Sequence, residues 1–557
     1  MDIKREIQEM VISALGEIPG FEKIPPHLLG QDLIERPNKA SEHGDFSSSI
    51  PLKIARHLKM NPIDIAEAVA NNLPVTYPVS KIRIVPPGFI NFFISEHWIS
   101  NQIDIIRNLG TSFGFQESVQ STSVQIEFVS VNPTGPVHVG HARGAVVGST
   151  LANIFKAVGY KVEKEYYLND AGTQIDIFNI SLLSRYRELF GEKEEMPENS
   201  YQGQYMIDLA KEIKTEHGKK FFDLDRNTAE TEIGILGLSR MIEGIKEDMK
   251  SLGVVYDFWF SEKSLFENGQ FETILNLLKE QGYLLKKDDA TWFRSSMFGD
   301  DEDKVVIRRT GTPTYFATDM AYHYNKFYER NFDRVIDILG ADHQGHVRFM
   351  KAFTQALKVD QNRIDLLIYQ LVTLKRGNEL VRASKRTGQF VTLRQLVEEV
   401  GKDACRYFFL SKSPGSQMEF DLNLAKEQSD ENPVYYIQYA HARIAGILRL
   451  ASEQGLKFNH GDVNLLNHSS ELDLIRKMIT FPEILDSIVQ TLEPQQLPHY
   501  ALELSQFFHT FYQQCRVVSN NVDEIEITLA RLKLVDAVKI TLSRCLILMG
   551  MSVPERM

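Results

Sequence analysis

Ser130-Val131-Asn132-Pro133-Thr134-Gly135-Pro136-Val137-His138-Val139-Gly140-His141 decides how this chain is read. Two histidines stand three apart, with a glycine between them, where a strand gives way to a helix. Upstream, Val124 to Phe128 alternate apolar and polar, as a half-buried strand does. Downstream, Val146, Val147, Leu151, Ile154, Phe155 and Val158 recur at helical spacing, and Gly159 closes the run. A second strand-like run starts near Tyr160. The pattern is a β–loop–α–β unit with its loop at the carboxyl end of a strand, where open α/β sheets bind nucleotides.

The chemistry suits ATP. A helix beginning near His141 aims unpaired N–H groups and a positive dipole end at the loop, which favours phosphate. Gly135 and Gly140 permit close approach of backbone or ligand. His138 and His141 can share one side and donate to phosphate oxygens as charge moves onto a leaving pyrophosphate. Pro133, Thr134, Gly135, His138, Gly140 and His141 form the candidate ATP-binding stretch. An isolated HxGH is more often a structural turn with two satisfied histidines; residues elsewhere shift that balance.

A second signal follows about 240 residues on. Arg382-Ala383-Ser384-Lys385-Arg386-Thr387-Gly388 is a small basic loop after a strand-like run, Ile368 to Leu374, and a turn at Lys375-Arg376-Gly377-Asn378. Alone it reads as a solvated basic loop. Paired with HxGH, it resembles the second signature, KMSKS, of the class I aminoacyl-tRNA synthetases. Arg382 stands at the first lysine and keeps its charge, while Ser384 and Lys385 match the central Ser-Lys.

Further stretches narrow the resemblance. Glu127-Phe128-Val129-Ser130-Val131-Asn132-Pro133-Thr134-Gly135-Pro136 leading into His-Val-Gly-His is similar to arginyl-tRNA synthetases of bacterial type. So are Glu165-Tyr166-Tyr167-Leu168-Asn169-Asp170-Ala171-Gly172-Thr173-Gln174, Tyr315-Phe316-Ala317-Thr318-Asp319, Gly340-Ala341-Asp342-His343-Gln344-Gly345-His346 and the closing Gly550 to Met557. The resemblance implies an α/β protein with a Rossmann-like nucleotide-binding core of class I type, an N-terminal α+β domain and a C-terminal all-α anticodon-binding bundle.

Three parts are expected. Residues 1–110 mix amphipathic helices with strands. Asp2 is placed to cap a helix through Ile3, Ile7, Met10, Val11 and Ala14, and Ile82 and Ile84 start a strand that the Pro86-Pro87-Gly88 turn interrupts. The resemblance makes this the domain that binds the tRNA elbow; a plain packing domain is the alternative. Residues 120–400 alternate strand and helix patterns, implying a largely parallel sheet. An insertion at about 180–300, helix-rich and then irregular around Asp300-Asp301-Glu302-Asp303, is expected to separate the two halves of the nucleotide fold. Residues 403–557 are helical. Val434, Ile437, Ala440, Ile444, Ile447 and Leu448 make an apolar face interleaved with His441, Arg443 and Arg449, and Arg531, Lys533, Lys539 and Arg544 line a later stretch. Asp403-Ala404-Cys405-Arg406 resembles the DALR motif that opens the family's anticodon-binding bundle. A charged helix face is usually only solvated; its place after a class I core favours RNA.

Arginine carries a planar cation with five N–H donors, so a selective pocket needs carboxylates in matching geometry. The resemblance implies that Glu127 and Asp319 grip the guanidinium with help from Tyr315, one helical turn before Asp319. It gives Ser130, Asn132 and His141 the amino-acid backbone. The family often has a glutamine near His343, so either His343 or the adjacent Gln344 serves. His138, His141, Ser384 and Lys385 become the catalytic groups, with Arg382 and Lys385 on ATP. His343 and His346 beside Asp342 form a possible metal pattern, but no third well-spaced ligand is visible. No protein-bound metal is expected, and Mg²⁺ would ride on the ATP phosphates. The implied reaction is attack of the arginine carboxylate on the α-phosphorus of ATP, then transfer to the 2′-hydroxyl of the terminal ribose of tRNA(Arg). The implied enzyme is a monomer that needs tRNA to activate arginine. A small-molecule adenylyltransferase also uses HxGH, but lacks reason for a helical C-terminal third. A non-catalytic tRNA-binding relative would not need His138, His141, Ser384 and Lys385 intact.

Composition agrees. The chain has 557 residues, 43% hydrophobic and 24% charged, which is ordinary for a globular protein of about three or four domains. No apolar run approaches the roughly 18 residues that span a bilayer, and Met1-Asp2-Ile3-Lys4-Arg5-Glu6 has no signal-peptide character. Cys405, Cys515 and Cys545 form no CxxC pair, consistent with a reducing, cytoplasmic setting. The net charge of −12 means that any RNA contact uses local basic patches.

Overall fold

A computed structural model of the chain describes residues 3–557 except 31, 32, 38, 39, 74–76, 117, 118, 120, 193–195, 378, 382–390 and 520. The backbone divides into two units. One comprises residues 1–110, 447–479 and 507–540, the other 111–446, 480–506 and 541–557. The helical stretch from Pro433 onward contributes to both.

The larger unit is built on a five-stranded sheet. Its strands are β1 (Ser123–Phe128), β2 (Lys161–Leu168), β3 (Phe258–Ser261), β4 (Arg334–Gly340) and β5 (Ile364–Tyr369), with helix α1 (Val139–Val158) between the first two. The order is β5-β4-β1-β2-β3, with every pairing parallel. The chain steps outward one way from β1 and the other way from β4. The switch point therefore lies between these two strands, and a crevice opens at their carboxyl ends.

β1 is not half-buried, as its alternation suggested. Gln125 is as buried as Val124, Ile126 and Phe128, and Glu127 is only 9% exposed. A central strand of a parallel sheet is covered on both faces, so its polar side chains must find internal partners. Gln125 Nε2 donates to Glu165 Oε1 at 3.1 Å. α1 starts at Val139, two residues before the expected His141, and ends at Gly159. It packs so tightly on β1 that a Cβ on Gly148 would lie 2.2 Å from the Phe128 ring.

The stretch 180–300 is not one insertion between sheet halves. Helices Thr173–Glu188, Gln204–His217 and Arg226–Ser251 enclose a core of their own around Phe178, Leu182, Met206, Phe221 and Ile233. The chain then re-enters the sheet as β3, paired with β2 from Glu165↔Phe258 to Leu168↔Ser261. A four-residue strand, Phe-Trp-Phe-Ser, is too short for periodicity to reveal; it is held by stacking of Trp259 on Tyr166 at 4.4 Å. Helix Gln270–Glu280 and an antiparallel sheet of Leu284–Lys287, Ala290–Phe293 and Lys304–Ile307 follow before β4.

Asp403-Ala404-Cys405-Arg406 lies in helix Lys402–Leu410. Arg406 is fully buried. It donates to Leu252 O at 3.0 Å, Ser149 Oγ at 2.9 Å and Thr150 Oγ1 at 3.2 Å, and also to Met549 O. This arginine ties α1 to the backbone at Leu252 and Met549 and is spent inside the fold.

In the smaller unit, helix Ile3–Gly16 buries Ile3, Ile7, Val11, Ala14 and Leu15; Asp2 lies outside the described residues. A three-stranded antiparallel sheet runs in the order Phe46–Ser48, Phe89–Ile94, Val79–Val85, and Pro86-Pro87-Gly88 turns its hairpin. Two basic residues expected on an RNA-facing helix are paired with acids: Lys533 is buried with its Nζ 2.7 Å from Asp104, and Arg531, partly exposed, has its Nε 2.7 Å from Glu471. His441, of the larger unit, is likewise buried, bonded to Pro554 O and Ser543 Oγ. Among the described residues no helix is long and apolar enough to cross a membrane.

Candidate active site

The crevice at the switch point is a cleft of about 1050 Å³. Its floor is the loop after β1. Val129 and Ser130 both hold positive φ, 71° and 43°, a costly conformation for a β-branched residue. Tyrosine hydroxyls from neighbouring segments pin the loop. Tyr256 donates to Phe128 O at 3.0 Å, Tyr166 to Val131 O at 2.8 Å and Tyr205 to Thr134 O at 2.8 Å. Ser130 Oγ accepts from Tyr167 N–H at 3.1 Å. On the far side, Leu393 N–H donates to Val137 O at 2.9 Å and Val139 N–H to Val391 O at 3.1 Å. Arg382, Ser384 and Lys385 lie outside the described residues.

His138 caps α1: its Nδ1 accepts from Gly140 N–H at 3.1 Å, which leaves the proton of a neutral ring on Nε2. His141 stands beside it, ring centroids 3.9 Å apart. Gly140 is required for the arrangement, since a Cβ there would sit 2.7 Å from His138 Cε1. Burial, then the neighbouring His138, pulls His141 down to about 4. It is therefore a neutral N–H donor at pH 7. Thr134, Gly135, His138 and His141 line the cleft. Two expected ATP contacts do not. Pro133 is buried behind the loop, and the Gly140 N–H is spent on His138.

The other end of the cleft is acidic. Tyr315 and Asp319 lie one turn apart on helix Tyr315–Tyr324, and both line it. Glu262, just past β3, lines it too. Burial, then the charge of Asp319, pushes Glu262 up to about 7. With its amide oriented to satisfy both ends, Asn169 donates to Glu262 Oε2 at 2.7 Å. Sequence reasoning missed Glu262. The signal that would have found it is the end of β3, at the same sheet edge as Glu127, but that strand itself went unseen.

Glu127 lines the same cleft and has a partner of its own. Its Oε2 is 2.7 Å from Nζ of the fully buried Lys326, whose Nζ also lies 2.7 Å from Asp337 Oδ1. Lys326 comes from a π-helical turn, Asn325–Glu329, a geometry that re-aims side chains near functional sites. His323 Nε2 completes the set at 2.7 Å from Asp337 Oδ2. Against burial, Lys326 and His323 hold Asp337 well below the usual carboxylate range, whereas burial pushes Glu127 up. Glu127 thus lines the cleft with a carboxylate that a lysine already partly neutralises, and the acid beside Asp319 is Glu262.

Of the remaining expected residues, Ser130 and Asn132 line the cleft. Asn132 Nδ2 donates to Gln174 Oε1 at 2.5 Å. His343 lines it as well, whereas Gln344 is exposed and outside the lining. His346 turns to Asp319, with Nε2 2.7 Å from Oδ2. Among the described residues no group of three His, Cys, Asp or Glu is arranged for a metal ion.

A parallel sheet of this order, with His-Val-Gly-His capping the helix at its switch point, is the framework of a class I aminoacyl-tRNA synthetase. Residues 107–418 match the family described as tRNA synthetases class I (R), catalytic domain. Residues 2–94 match the arginyl tRNA synthetase N terminal domain and 437–557 the DALR anticodon binding domain. The chain is 50% identical to the arginine–tRNA ligase of Dehalococcoides mccartyi strain CBDB1, over 100% of this chain and 99% of that one. It is 42% identical to that of Caldanaerobacter subterraneus, with the same coverage of both chains. In fold it resembles Thermus thermophilus arginyl-tRNA synthetase, with a TM-score of 0.77 at 19% identity and 100% of both chains covered. The chain belongs to the arginine–tRNA ligase family.

Proposed function

We propose that this cleft activates L-arginine with ATP and passes it to the 3′-terminal ribose of tRNA(Arg), in protein synthesis. The observation that carries the reading is the pair Glu262 and Asp319. In a buried cleft where, among the described residues, no lysine or arginine pairs with either of them, one acid is driven to hold a proton near neutral pH. A guanidinium restores both charges and offers planar donors to each. Tyr315 stands at the rim, and Ser130 and Asn132 lie toward the substrate's backbone end. Glu127 serves from below, keeping Lys326 in place.

The arginine carboxylate attacks the α-phosphorus of ATP, and pyrophosphate leaves with its magnesium. Charge then grows on the leaving oxygens beside His138 and His141. Two preorganised N–H donors at a helix N-terminus stabilise that charge without covalent chemistry. Ser384 and Lys385, with Arg382, supply the second phosphate contact. The ribose 2′-hydroxyl of the tRNA terminus then displaces AMP. Residues 1–110 take the tRNA elbow and 403–557 the anticodon, in a cytoplasmic monomer that needs tRNA to activate arginine.

The test is charging of total tRNA with arginine and ATP, with citrulline as competitor. Citrulline has nearly the shape of arginine and no charge, so two desolvated acids reject it by roughly 10⁴. Asp319→Asn should raise the arginine KM and narrow that ratio while the ATP KM holds. An unchanged arginine KM would make Asp319 structural.

A further inference from the structure

The helix His346–Ala356 begins at the cleft, and its first side chain sets its Nε2 2.7 Å from Asp319 Oδ2. The imidazole is 9% exposed. It stacks on Phe316, centroids 5.3 Å apart at 21°, and packs against Phe349 at 5.3 Å and Tyr315 at 5.5 Å. Its other nitrogen, Nδ1, is buried with no partner. The pattern suits the tautomer with its hydrogen on Nε2. The donor then meets the carboxylate, and Nδ1 carries only a lone pair; a hydrogen there would be a buried donor without an acceptor.

We infer that His346 is a positioning residue of the arginine pocket: its imidazole fixes Asp319 through one oxygen and leaves the other oxygen for the guanidinium. The inference rests on the reading that Asp319 meets arginine. The contrast with Glu127 gives its logic. Lys326 holds Glu127 at the same 2.7 Å, but as an ammonium shared with Asp337, whose positive charge weakens the attraction of Glu127 for a cationic substrate. An imidazole held in an aromatic box takes the place of that ammonium beside Asp319. The two partners thus sort the acids of the cleft, one left for the substrate and one committed to the fold. Nothing in the backbone demands a histidine here, because the ring's packing could be supplied by any aromatic residue.

His346→Phe keeps the ring and deletes the donor. Arginine KM should rise about tenfold, the loss of one hydrogen bond to a charged group, with kcat and the ATP KM within about twofold. Its melting temperature should not fall, since the unpartnered Nδ1 goes with the donor. His346→Gln places an amide nitrogen at similar reach and should return the arginine KM to near wild type. An unchanged arginine KM in His346→Phe, or an equal loss in His346→Gln, overturns the inference. If His346→Phe does not fold, His346→Met, also without a donor, takes its place with the same expectation. Asp319→Asn separates the two layers. If its arginine KM rises while His346→Phe is silent, only the inference about His346 fails. If Asp319→Asn is itself silent, the pocket reading fails and the inference with it.

Discussion

Arginine binding should release a proton from Glu262. That carboxyl rests at about 7 in the free cleft, against an ordinary 4.5, because burial and then the charge of Asp319 disfavour its ionised form. A guanidinium between the two acids favours the ionised form, so binding and deprotonation are linked. If arginine binds only ionised Glu262, its apparent KM should rise about tenfold as pH falls from 8 to 6, and at pH 7 about half a proton should leave per arginine bound. Stability moves in a definite direction. The folded free enzyme holds this proton more tightly than the unfolded chain, so the group's contribution is fully present below 4.5 and is lost as pH rises through 7. Saturating arginine should flatten that loss. The assay is kcat/KM for arginine in tRNA charging from pH 6 to 8, with binding calorimetry in two buffers of different ionisation enthalpy to count protons. Glu262→Gln should raise the arginine KM by roughly 10- to 100-fold, as for a lost charged hydrogen bond, and abolish its pH dependence. A flat KM from pH 6 to 8 in the wild type, with no proton release, would refute the reasoning.

His141→Ala and Lys385→Ala should each lower kcat by about 10²–10³ with the fold intact, as for loss of one preorganised donor; near-wild-type charging by Lys385→Ala would remove the second signature loop from the mechanism. Gly140→Ala should displace the His138 ring, only 2.7 Å from the new Cβ; steady-state kinetics should show a lower kcat and a higher ATP KM at unchanged arginine KM. Arg406→Met should leave the Leu252 and Met549 carbonyls without their donor and cost on the order of 3 kcal/mol in urea unfolding. Because the guanidinium is internal, tRNA KM should not change in the fraction that remains folded.

What the sequence disclosed and what it hid divide along a physical line. β1, α1 and β2 are contiguous and periodic, and the HxGH spacing follows from local geometry: His138 caps Gly140, and His141 falls beside it. Asp319 one turn after Tyr315 was legible for the same reason. Partnerships made across the fold were not. Glu127 is a lone acid on a strand until Lys326, delivered by a π-helical turn almost 200 residues later, claims it. Glu262 depends on β3, which is too short to carry a period. Buried cations such as Arg406 and Lys533 look like surface charge in one dimension, because composition does not say which carbonyl or carboxylate awaits them.

The strand order also sets a timetable. β1 is the middle strand, yet the neighbour that closes one of its edges emerges far later: Asp333, which receives the Ser123 N–H at the foot of the pair, is 210 residues downstream. At synthesis rates of about 5–20 residues per second, that is about 10–40 s with an apolar strand edge unpaired outside the ribosome. The helices of residues 173–251 leave the ribosome within that interval and close a core that needs nothing from β4. They provide the nascent chain with an early compact body while the nucleotide fold waits for its second half. Slower elongation across 260–330 would lengthen the exposure of that edge, and an unpaired strand edge is a template for aggregation.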